Sequence, residues 1–70
     1  MIYGFKTYPA KSGLDTFWIA ESNQLNGCTA QGDTLDEALK ELARNELEWL
    51  LMAEEHGIAV PEVELMDFGG

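Results

Sequence analysis

The sequence predicts an α+β fold, a single sheet with one helix on one face, in the order β-β-β-α-β. Three features point there. The first half holds three short runs rich in aromatic and β-favouring residues, separated by Gly, Pro, Ser and Asn. From Leu35 onward, apolar residues recur at helical spacing. An alternating run, Val63-Glu64-Leu65-Met66-Asp67-Phe68, follows near the C-terminus.

The first strand is predicted over residues 2–8, from Ile2 to Tyr8, and Pro9 ends it because proline offers no amide to a ladder. Lys11-Ser12-Gly13 supplies the turn, and residues 15–21 form a second strand in a hairpin with the first. Residues 22–27 are polar and loop-like, and Cys28-Thr29-Ala30-Gln31 is a short third strand closed by Gly32-Asp33. Thr34-Leu35-Asp36-Glu37 fits a capping box, a hydroxyl at the N-cap with a Glu three residues on. Asp36 and Glu37 also suit the positive end of the helix dipole. Leu35, Ala38, Leu39, Leu42, Trp49, Leu50 and Ala53 form one stripe, so the helix is expected to run to about Glu55 and stop at Gly57. His56 then sits where a cation suits the helix C-terminus. Val60-Pro61 leads into the last strand, with Val63 and Leu65 inward.

Seventy residues make one domain, 1–70. A chain this short buries only about 60% of its unfolded surface. Small domains often add a disulfide, a metal or a second subunit. Cys28 is the one cysteine and His56 the one histidine, so neither an internal disulfide nor a zinc set is expected. Self-association, as a homodimer or higher oligomer, is the remaining source of stability. The cysteine usage and the lack of a signal peptide read as cytoplasmic, and no apolar run is long enough to span a bilayer. Net charge is −9, and all of it falls in residues 33–70, where eleven acids face Lys40 and Arg44. Such a surface repels nucleic acid and membrane phosphates and attracts basic proteins.

The second strand is apolar on both faces: Phe17 and Ile19 point one way, Trp18 and Ala20 the other. Only one set can meet the helix. Burying a large aromatic stabilises by roughly 1.5–3 kcal/mol, so the second face is expected to be a subunit or partner contact.

The residues Trp18-Ile19-Ala20, Leu25, and then Gly27-Cys28-Thr29-Ala30-Gln31-Gly32-Asp33-Thr34-Leu35-Asp36-Glu37-Ala38-Leu39 resemble the signature of the HicB antitoxin family. Trp49-Leu50, Gly57 and Pro61 add weaker matches. Gly27, Cys28, Gly32, Asp33, Thr34, Glu37 and Ala38 form the motif, and it reports fold more than activity: a tight turn, a cap and a close helix–sheet approach. The resemblance implies a partial ribonuclease-H-like fold. It also implies an inhibitor that neutralises a small basic ribonuclease toxin of the HicA kind by covering its catalytic histidine. The chain departs from the family before Gly27, where Ser22-Asn23-Gln24-Leu25-Asn26 replaces a proline-bearing loop and predicts greater mobility. No helix-turn-helix or basic segment follows, so direct DNA binding is not expected. An alternative function is a freestanding or phage-borne acidic inhibitor or adaptor that mimics nucleic acid in another protein's binding groove.

No catalytic, cofactor-binding or metal-ligating set emerges, and the protein is not expected to be an enzyme. A two-metal hydrolase needs paired carboxylates in mid-strand, whereas Asp15 falls in a hairpin and most acids fall on the helix. Cys28 reads as a small buried apolar residue. The helix's outward face carries Asp36, Glu37, Lys40, Glu41, Arg44 and Glu48. Trp18, Asp36, Glu37, Glu41 and Glu48 are the candidate partner-binding residues, four of them an acidic platform for a basic toxin. Glu46 is conspicuous. With Leu35 at zero on a wheel of about 100° per residue, Glu46 falls at about 20°, between Leu39, Leu42 and Ala53. A carboxylate there must reach water past the sheet edge, or bond a strand hydroxyl or an interface group.

Overall fold

In the computed structural model, which describes residues 1–62, the strands are β1 (Phe5–Ser12), β2 (Asp15–Ser22) and β3 (Thr29–Gly32), followed by α1 (Leu35–His56). The sheet is antiparallel in the order β1-β2-β3. This is the α+β arrangement of one sheet and one helix. The predicted last strand, residues 63–68, lies outside the described residues.

Ser12 pairs with Asp15, so Gly13 and Leu14 alone turn the chain. Gly13 has φ 64° and Leu14 does not enter the positive region. A glycine first in a two-residue loop matches the right-handed twist of the flanking strands.

The first strand differs from its predicted span. It begins at Phe5 and runs through Pro9, which pairs with Trp18, to Ser12. Proline is tolerated because β1 is the edge of the described sheet, where its nitrogen can point away from β2. The third strand is shifted by one residue. Cys28 precedes it, donating its amide to the Leu25 carbonyl at 3.1 Å.

The register decides which face of β2 meets the helix. Trp18 lies opposite Gly32 and Ala20 opposite Ala30. Side chains directly opposite share a face, so these four form the floor beneath α1. The floor is mostly small, and the helix comes close. A Cβ on Gly32 would stand 2.6 Å from the Ala38 nitrogen. Ala20 and Ala38 are fully buried, and Tyr3, Leu25, Cys28 and Leu42 complete the core. Burying a side chain such as Leu42 stabilises by roughly 1.5–3 kcal/mol.

Both helix ends follow local chemistry. The Thr34 hydroxyl accepts from the Glu37 amide at 3.2 Å. The Glu37 carboxylate reaches back to the Asp33 amide at 3.0 Å, one residue earlier than in the standard capping box. At the other end Gly57 adopts φ 66°. Its amide donates to the Glu54 carbonyl and the Ile58 amide to the Ala53 carbonyl, a Schellman closure.

The loop before Cys28 is tied down without prolines. Leu25 plugs the core at 1% exposure. Its amide donates to the Ser22 hydroxyl, and the Trp49 indole donates to the Asn26 carbonyl at 2.9 Å. The predicted mobility rested on the missing prolines; side-chain anchors replace them.

Glu46 is buried, at 4% exposure. It neither escapes to water nor bonds a strand hydroxyl. Its two oxygens accept the backbone amides of Ile2 (2.8 Å) and Tyr3 (3.3 Å). Residues 2 and 3 are thus held by the helix rather than paired in the sheet.

Candidate protein interface

Three surfaces are built by these elements. The first is the outward face of α1 in its N-terminal half. Asp36 pairs with Lys40 at 3.2 Å, and Arg44 lies 3.9 Å from Glu41 and 3.4 Å from Glu48. Glu37 turns toward the cap. The four acids predicted as a platform are therefore on one element, with half their charge offset by Lys40 and Arg44. These pairs are solvent-exposed, so each contributes about 0.2–1 kcal/mol and yields easily to an incoming cation.

The second surface is a groove of about 730 Å³ at the hairpin end of the sheet. Asp15 enters from β2, Asp33 and Glu37 from the helix start, and Phe17 lines it between them. Gly32 lets helix and strand meet there, so the turn residues of the sequence motif shape the groove wall. Three carboxylates beside one aromatic ring suit a basic side chain that brings an apolar stem.

The third is the sheet face away from the helix. Tyr8 lies opposite Ile19 and Ala10 opposite Phe17; Ala10, Phe17 and Ile19 are half-buried and Tyr8 is exposed. The Tyr8 hydroxyl donates to Glu21 at 2.8 Å, and Lys6 pairs with the same carboxylate at 3.3 Å. The hydrogen bond from Tyr8, reinforced by Lys6, holds Glu21 below the usual carboxylate range. The same bond pushes the Tyr8 phenol up.

Trp18, singled out by sequence, is on the helix side and packs against the core. Phe17, its neighbour on the opposite face, belongs to the far side of the sheet and also lines the groove. The sequence carries no signal for Asp15 or Asp33 as contacts, and Phe17 belongs to one of the two apolar faces of β2 that it leaves open. Strand alternation marks Phe17 as facing away from Trp18, but nothing local says which face the helix takes. Cys28 is buried, and burial, with the Glu46 carboxylate adding to it, pushes its thiol up, away from the reactive thiolate. Among the described residues no three His, Cys, Asp or Glu side chains converge to hold a metal ion. Nor is any helix among them long and apolar enough to cross a membrane.

These features define a small α+β protein with acidic and apolar surfaces. The chain belongs to the UPF0150 family. It is 39% identical over 64 residues to UPF0150 protein ssl0259 of Synechocystis sp., an alignment covering 91% of this chain and 84% of that protein. No family model matches the chain, and no solved structure matches it.

Proposed function

We propose that the protein is an antitoxin-type inhibitor that binds a small basic RNA-cleaving toxin and covers its active surface. The observation that carries the reading is the groove lined by Asp15, Asp33, Glu37 and Phe17. It is built partly by the residues that resemble the HicB signature, and it offers charge and an aromatic contact together. A toxin that grips RNA presents Lys or Arg on that surface, and an acidic groove competes for those groups. The protein acts by binding alone and performs no chemical step. It does not contact nucleic acid itself.

The test is co-expression with any short basic reading frame that neighbours the gene: its product alone should arrest growth, and this protein should restore it. In calorimetry with the purified toxin, Asp15→Lys combined with Phe17→Ser should weaken binding at least about tenfold, with the fold checked by circular dichroism. Absence of any toxic neighbour, together with binding to a nucleic-acid-binding protein of another kind, would replace this reading with the nucleic-acid mimic.

A further inference from the structure

We infer that the outward face of α1 is a self-pairing surface on which a second copy of the chain lies antiparallel. Leu47 and Leu51 are 60% and 57% exposed, one turn apart, on the side of the helix away from the sheet. At about 100° per residue, Lys40, Arg44, Leu47, Leu51 and Glu54 fall within an arc of about 80°. Their spacing alternates between four and three residues, the pattern of a helix–helix seam.

The charges select the occupant. The cations of this face, Lys40 and Arg44, are in the N-terminal half, and Glu54 and Glu55 are in the last turn. Those two acids oppose the dipole of their own helix, and among the described residues neither has an ion-pair partner. The chain's other cations are Lys6 and Lys11, both on β1. A two-fold axis at the level of residue 49 places Leu47 on the partner copy's Leu51. The same axis places Arg44 on the partner copy's Glu54, because both pairs share that midpoint. Antiparallel packing also sets the acidic helix end beside the positive half of its neighbour's dipole. The intrahelical pairs of Lys40 and Arg44 are exposed and are given up at little cost. A second copy therefore satisfies the apolar centre and both charged ends at once. This pairing leaves the acidic groove free and does not depend on what the groove binds.

The test is solution mass by light scattering or sedimentation on the full chain at micromolar to submillimolar concentration. The expected result is twice the 7.8 kDa chain mass. Leu51→Glu should give monomer. Arg44→Glu with Lys40→Glu, and separately Glu54→Lys with Glu55→Lys, should each weaken the dimer at least about tenfold, and mixing the two variants should restore it as a heterodimer. Should the charge variants lose helicity, Leu47→Cys and Leu51→Cys in a Cys28→Ser background provide the second measure. Mixed under oxidising conditions, they should cross-link to each other. A wild-type chain that stays monomeric throughout would overturn the inference. So would a dimer that survives Leu51→Glu and is lost on Phe17→Glu, which would place the contact on the sheet.

Discussion

Glu46 holds the amide of Ile2 across 44 positions of sequence, at 2.8 Å, from the middle of the helix's apolar stripe. Its second oxygen takes the amide of Tyr3, whose side chain is part of the core. Among the described residues no strand pairs with Ile2 or Tyr3, and one carboxylate accepts both amides. Glu46→Leu should destabilise the protein by about 1–3 kcal/mol, because two amides lose their acceptor and Tyr3 N–H is buried. Glu46→Gln keeps one acceptor oxygen and should cost less. Urea unfolding of both variants measures this, and hydrogen exchange at Ile2 and Tyr3 should speed up first. A Leu variant as stable as wild type would mean those amides find water.

Gly32→Ala should be among the most damaging small changes. The added methyl meets the backbone of Ala38 at 2.6 Å and Glu37 Cβ at 2.7 Å, so helix and strand must part. A loss of about 1–3 kcal/mol is expected, read as a lower urea midpoint with an unchanged slope.

The Tyr8–Glu21 bond predicts a defined pH response. Glu21 titrates below its usual range, chiefly because Tyr8 donates to it and secondarily because of Lys6. Its contribution to stability is present above the ordinary carboxylate pKa and is lost as pH falls through the lowered folded value. Tyr8 is raised, so its contribution is present below the ordinary phenol pKa and is lost as pH rises through the raised folded value. In Tyr8→Phe, Glu21 should titrate at higher pH than in wild type. Carbon-13 NMR of the carboxylate checks it, and an unmoved titration would remove Tyr8 as the cause.

Association with a basic toxin should be steered by charge. Raising salt from about 50 to 500 mM shortens the Debye length severalfold and should slow the on-rate by roughly tenfold. Stopped-flow mixing measures it. A flat response would leave Phe17 and its apolar neighbours as the source of affinity and remove the carboxylates from the mechanism.

What was legible in the sequence tracks how local each signal is. Thr34 and Gly57 mark the helix ends because a cap is decided within four residues, and both were placed correctly. Pro9 misled because its meaning depends on whether the strand has a neighbour on that side, which is a tertiary fact. Ile2 and Tyr3 look like strand residues, and only a distant carboxylate takes them out of the ladder. The two apolar faces of β2 could be seen but not assigned. The choice falls to Trp18 and Ala20 because Ala30 and Gly32 beside them leave room for the helix backbone. Asp15 and Phe17 share one face of β2, but Asp33 and Glu37 come from the turn and the helix start, so no single sequence spacing marks the groove they line together. Leu47 and Leu51 lie outside the inward stripe, and their exposure is a tertiary fact that sequence spacing alone does not give.

Pro9, standing inside the edge strand of the sheet formed by the described residues, also bears on how the protein behaves when crowded. A bare strand edge is a template for further strands, and stacking of that kind is how small sheet proteins aggregate. At Pro9 the template lacks a donor, so a strand growing along β1 from either end must skip a bond midway. The residue that obscures the strand in the sequence thus also withholds a donor from that edge.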